Sequence, residues 1–196
     1  MNSQTTPTEQ PLSAGVLMRK KNAIAYRTGL VLQAVGAGIL AVLYPISHPF
    51  YTIGIMIFEL GALIAGFNLI VWITWVKKII LGAIITGLFV QVIGLYFVAA
   101  ENALTVALLG IGLVCFGTAG IAGKEAYCFA LREGWVLMWL YPLVALMNLL
   151  GKMPRMFNAI MFSLHFLLLV SLVSRKMKQP LLSSSSTACS PTPEAQ

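Results

Sequence analysis

Aspartate is absent from this chain, and all six of its acidic residues are glutamate. Charge of either sign is scarce, at 10% of the 196 residues, where soluble domains carry about 25%. A water-facing surface of this size needs far more charge, so most of the surface must face lipid. Cysteine is limited to three residues and histidine to two. Cys115, Cys128 and Cys189 show neither CxxC nor metal-ligand spacing, so no zinc site or disulfide framework follows. Cys115 and Cys128 read as small apolar packing residues. Paired aspartates, a His-rich metal cluster and a serine nucleophile with a convincing base are all missing. An enzyme is therefore not expected, nor is a metal or cofactor. Period-two alternation over strand lengths is missing too, which excludes a membrane β-barrel.

What is present is apolar residues, 59% of the chain, with a mean hydropathy of +0.88. They fall into six runs, 28–46, 50–76, 79–99, 103–122, 135–150 and 156–174. Four of these are 19 to 21 residues long, enough to cross about 30 Å of hydrocarbon as helix. The second, at 27, has length to tilt, and the fifth, at 16, either borrows residues 130–134 or is re-entrant. The expected fold is an all-α membrane protein, a polytopic bundle of about six transmembrane helices with disordered polar tails. The N-terminal tail is placed at 1–18, the bundle at 19–178, and a Ser/Pro-rich tail at 179–196. The first run has no small-residue cleavage site after it and is not a signal peptide.

Lysine and arginine set the orientation. The net charge is +7, but the basic residues sit at the ends of apolar runs, which argues against nucleic acid as a partner. With the N-terminus inside, all but Lys152 and Arg155 of the thirteen basic residues fall on the cytoplasmic side. That bias follows the positive-inside rule and puts both termini in the cytoplasm. Tyr44, Phe50, Tyr51, Trp72, Trp75 and Trp135 lie at span borders, as interfacial aromatics do. A re-entrant fifth run would instead bring Lys152 and Arg155 inside.

Small residues recur at helix-contact spacing: Ala34/Gly38, Gly61/Ala65, Ala62/Gly66, Ala83/Gly87 and Ala119/Gly123. This pattern lets helix backbones approach closely in lipid. Gly117, Gly120 and Gly123 leave the fourth run with a bare face for packing.

Polar groups inside the runs are the informative ones. Glu59 lies in the second run, Gln91 in the third and His165 in the sixth. An ionised carboxylate there costs at least about 2.5 kcal/mol unless protonated, paired or hydrated. Counted from the outer borders, the three lie at a common depth of roughly 12–14 Å. They are the candidate polar layer. One reading makes Glu59 and His165 a proton-accepting pair in a transport path. The other makes all three hydrogen-bonding glue between helices.

A second candidate is the segment 124–135, Lys-Glu-Ala-Tyr-Cys-Phe-Ala-Leu-Arg-Glu-Gly-Trp. As one helix it places Lys124, Cys128 and Arg132 on one stripe and Glu125, Phe129 and Glu133 on the next. Such a surface helix either docks a partner or anionic headgroup or is simply solvated.

The run Gly120-Ile-Ala-Gly-Lys-Glu-Ala-Tyr-Cys-Phe, continuing to Glu133-Gly-Trp, resembles an uncharacterised family of small integral membrane proteins of cyanobacteria and other bacteria. That family is known as domain of unknown function 2301. The resemblance covers roughly residues 19–178 and implies a bacterial inner or thylakoid membrane. It transfers no substrate, cofactor or catalytic residue. Two functions remain in view. One is a small transporter or proton-coupled permease-like bundle; the other is a membrane-embedded scaffold or assembly factor using segment 124–135. The expected partners are the lipid bilayer and a membrane protein or second copy.

Overall fold

The structure, a computed structural model, describes residues 14–46, 50–69, 74–151 and 154–179. Among these there are six helices: α1 Ala14–Leu43, α2 Tyr51–Phe67, α3 Thr74–Tyr96, α4 Ala100–Phe129, α5 Arg132–Leu149 and α6 Arg155–Lys178. The protein is an all-α membrane bundle. The tail segments 1–13 and 180–196, and with them Cys189, lie outside the described residues, as do Trp72 and Lys152. Helix α1 already includes Ala14, ahead of the border expected at residue 19.

Successive helices run antiparallel. One end of the bundle carries the N-terminus of α1, the C-terminus of α6 and the α2–α3 and α4–α5 connections; it is called the terminal end below. The α1–α2, α3–α4 and α5–α6 connections form the distal end. Four helices, α1, α3, α4 and α6, have stretches long and apolar enough to cross a membrane, and α2 is a shorter apolar helix. Helix α5 begins with Gly134 against Ala122 and Ala126 and ends with Asn148 beside Asn158. It therefore runs the length of the bundle and does not turn back. At 18 residues it spans about 27 Å.

The closest helix pairs are built on missing side chains. A Cβ on Gly29 would sit 2.6 Å from the Ala65 backbone nitrogen, and one on Gly61 would sit 2.6 Å from that of Gln33. Gly36 meets Gly54 and Phe58 about two turns further on, so α1 and α2 touch backbone to backbone. The α3–α4 pair repeats the device, with Gly87 against Gly110 and Gly94 against Ala107. Hydrophobic collapse offers little between helices in lipid, so this close packing is what holds them.

The exterior is apolar. Val35, Val42, Ile79, Phe89, Leu104, Trp139 and Leu167 are all exposed. The interior holds Gln33, Glu59, Thr118, Glu125, Asn158, His165 and Lys176, each buried. Apolar outside and polar inside is the arrangement a bilayer selects. Helices α1, α2, α4, α5 and α6 surround a common interior, and α3 packs mainly on α4 from outside.

Candidate functional site

The interior opens into a cavity of about 520 Å³ whose wall is contributed by α1, α2, α4, α5 and α6. Tyr44, Tyr51, Asn148 and Arg155 stand at its distal end; Glu59, Cys115, Tyr141 and His165 line it deeper. Both principal residues of the expected polar layer therefore face one space. They are not ion-paired. The Gln91 amide donates to Glu59 Oε1 at 2.6 Å, reaching across from α3. His165 Nδ1 lies 2.8 Å from the Met161 carbonyl oxygen, and its ring packs on Tyr141 with centroids 4.8 Å apart. The expected three-member layer is thus a Glu59–Gln91 pair on one wall and His165 on another.

The distal end of the cavity carries a small polar knot. Asn148 and Asn158 exchange side-chain hydrogen bonds of 3.0 and 2.7 Å, and Asn158 also donates to the Tyr44 hydroxyl at 3.2 Å. Tyr44 makes edge-on contacts with Tyr51 and Phe162. These contacts tie the distal ends of α1, α2, α5 and α6 together.

Toward the terminal end the space closes. Tyr141 lines the cavity and also a second void of about 10 Å³, walled by Gln33, Thr118, Glu125 and apolar side chains. That volume is at the lower limit for a single water. The Gln33 amide nitrogen and the Tyr141 hydroxyl are buried there without a protein partner.

Below the void sits an ion cluster. Glu125 is fully buried, with Lys124 Nζ 2.9 Å from Oε1, Lys176 Nζ 2.8 Å from Oε2, and the Tyr26 hydroxyl donating to Oε1 at 2.7 Å. Lys176 also lies over the Phe129 ring, 3.4 Å from its centroid. One carboxylate thus binds α1, α4 and α6 together. Two ammonium groups against one carboxylate leave an excess positive charge, which the faces of Phe129 and Tyr26 help to hold.

Segment 124–135 is arranged differently from the continuous surface helix expected of it. Ala130 takes a left-handed conformation, φ 51°, and ends α4; α5 starts two residues later. The two stripes are broken at that point. Lys124 and Glu125 turn inward to the ion cluster. Glu133 pairs with Arg175 at 3.1 Å and accepts from Ser171 at 2.9 Å. Arg132 remains exposed, as does Tyr127. Cys115 is free, as a packing residue would be. Cys128 lies in the last turn of α4.

Sequence reasoning missed Tyr26, Lys176, Gln33, Tyr141 and the Asn148–Asn158 pair. In the sequence Lys176 reads with its neighbours as an orientation signal, and Tyr26 stands beside Arg27 at a span border. The spacing of Lys124 and Glu125 at the end of a long helix was a usable signal for burial. A Lys176 partner 51 positions away was not.

A family model described as an uncharacterized integral membrane protein, DUF2301, matches residues 63–184. The match takes in Gln91, Lys124, Glu125, His165 and Lys176 and begins after Glu59. No curated protein and no solved structure matches the chain.

Proposed function

As the chain belongs to the DUF2301 family of uncharacterized integral membrane proteins, we propose that it is a small transporter, captured with its cavity open at the distal end and shut at the terminal end. The observation that carries this reading is the cavity itself. About 520 Å³ lies within the usual 300–1,000 Å³ range of small-molecule sites. Five helices wall it, and it holds an intramembrane carboxylate and an imidazole, groups that mark ion and proton paths.

The closed end has the form of a gate. Glu125, Lys124, Lys176 and Tyr26 clamp α1, α4 and α6, while Tyr141 separates the cavity from the small void above that clamp. Pro142 follows Tyr141 inside α5. Proline leaves the carbonyl four residues back without its helical partner and weakens the helix at that point. A hinge beside the separating side chain lets α5 bend without unfolding. The terminal end carries Lys20, Lys21, Lys77, Lys78, Lys124, Arg132, Arg175, Lys176 and Lys178, so by charge bias it faces the cytoplasm. The solute then enters from outside and leaves inward.

The scaffold alternative keeps a smaller surface than expected, because Lys124 and Glu125 turn into the ion cluster while Arg132 and the Glu133–Arg175 pair stay at the surface.

Side-specific labelling tests the transport reading. Ala145 lines the cavity. In a chain with its three native cysteines replaced by alanine, Ala145→Cys should react with a small membrane-impermeant maleimide from the distal side. A scaffold with a dry interior leaves that cysteine unreactive.

A further inference from the structure

The cavity's lining also indicates what kind of solute it takes, an inference that rests on the transport reading above. Five aromatic side chains face it: Tyr44, Tyr51, Phe58, Tyr141 and Phe162. They form two linked groups. Tyr44 contacts Tyr51 and Phe162 edge-on near the mouth, with centroids 5.8 and 5.2 Å apart, and Phe58 packs on Tyr141 at 5.9 Å deeper in. Glu59 is the one acidic residue among the described wall residues. Its partner is a neutral amide, Gln91, and no basic side chain of the bundle forms an ion pair with it among the described residues.

We propose that the cavity binds a small organic cation of the alkyl- or arylammonium class, held between these aromatic rings and the Glu59 carboxylate. Ring faces attract a cation through the negative face of their quadrupole, most strongly where water is excluded. The carboxylate adds the full opposite charge. An ionised carboxylate at this depth needs compensation, and a bound cation supplies it. Without the cation, a proton does. Binding is therefore an exchange: the Glu59 O–H bond breaks, the proton passes to water at the mouth, and the organic cation takes its place. One charge replaces one charge, which makes the site a proton–cation antiporter.

Two positively charged or chargeable groups share the wall, and neither substitutes for the cation. Arg155 stands exposed at the first turn of α6, ten residues or roughly 15 Å along the helix from His165. Salt screens a charge at that rim within about 8 Å. His165 is buried with its ring against Tyr141, where an unpaired charge is costly. The titratable groups that share the cavity with Glu59 are Tyr44, Tyr51 of α2, Cys115 of α4, Tyr141 of α5, and Arg155 and His165 of α6.

Equilibrium dialysis of the purified full chain with radiolabelled tetraphenylphosphonium tests this directly. Saturable binding is expected, strengthening by up to about tenfold per pH unit as the proton is displaced. Glu59→Gln should weaken it at least tenfold and remove the pH dependence, while Glu59→Asp retains both. Tyr51→Leu, which leaves the carboxylate in place, should also weaken binding and covers the case in which Glu59→Gln fails to fold. Equal binding of tetraphenylborate, or unchanged binding by Glu59→Gln, overturns the proposal. If tetraphenylphosphonium fails to bind while Ala145→Cys is labelled from the distal side, the cation inference falls and the transport reading stands. If that cysteine is unreactive, both fall.

Discussion

Glu59 and His165 line one cavity and yet bond to different helices, the carboxylate to Gln91 of α3 and the imidazole to its own helix at Met161. A direct proton hand-over between them is therefore not built into this conformation. What lies between them is space, bordered by Phe58 and Tyr141. Both side chains border that space, and on the transport reading proposed above it is Glu59 that meets the occupant.

The Glu59–Gln91 contact gives the first prediction. Gln91→Leu strips the carboxylate of its amide donor and should destabilise the bundle by about 1–3 kcal/mol. Glu59→Gln keeps an amide-to-amide hydrogen bond and should cost less than about 1 kcal/mol. Unfolding in mixed micelles of increasing dodecyl sulfate content compares the two.

The ion cluster predicts an asymmetry between its members. Glu125→Gln leaves two buried ammonium groups facing each other and should cost about 3–5 kcal/mol. Lys176→Met removes the excess charge, leaves Lys124 paired with Glu125 at 2.9 Å, and should cost clearly less. Equal losses in the same unfolding measurement would mean that the cluster is not held by its charges.

Backbone approach between α1 and α2 is equally testable. A Cβ at Gly36 would lie 2.7 Å from the Gly54 carbonyl oxygen, whereas one at Gly82 meets nothing within 4 Å. Gly36→Ala should therefore push the helices apart and cost about 1–3 kcal/mol. Gly82→Ala, on an exposed helix face, should be neutral or stabilise by about 0.5–1 kcal/mol. Thermal aggregation midpoints of the two variants give the comparison.

Ala130 holds a left-handed backbone at φ 51°, which strains any residue with a Cβ. Ala130→Gly should stabilise the protein by about 1 kcal/mol. A loss of stability would show that the methyl group, and not the turn, matters at that position.

Much of this was legible in the residues. The apolar runs mark the six helices because intramembrane backbone has no alternative to internal hydrogen bonding. The second run is the correction: its expected span is 50–76 with length to tilt, but α2 covers only Tyr51–Phe67 and residues 74–76 open α3. Gly61 and Ala65 were recognisable as contact residues from their spacing, and they do meet Gly29 of α1. Depth counting placed Glu59 and Gln91 on one level, and they bond. The ion cluster was not legible. Its members stand 99 and 51 positions apart in Tyr26–Glu125 and Glu125–Lys176, and no local pattern distinguishes a lysine that turns into a bundle from one that faces water. Ala130 hid the α4–α5 turn for a related reason: alanine is the best helix former, so nothing at that position announced a left-handed stop.

The measurement closest to the central claim is a two-sided accessibility assay of the same chain. Ala145→Cys reports the distal cavity, and Thr118→Cys reports the void behind Tyr141. Weakening the gate with Lys176→Met should raise labelling of Thr118→Cys from the terminal side and lower labelling of Ala145→Cys from the distal side by a matching factor. That exchange is what a cavity with alternating access produces. Labelling of Thr118→Cys that never rises, or that rises with no fall at Ala145→Cys, would contradict it.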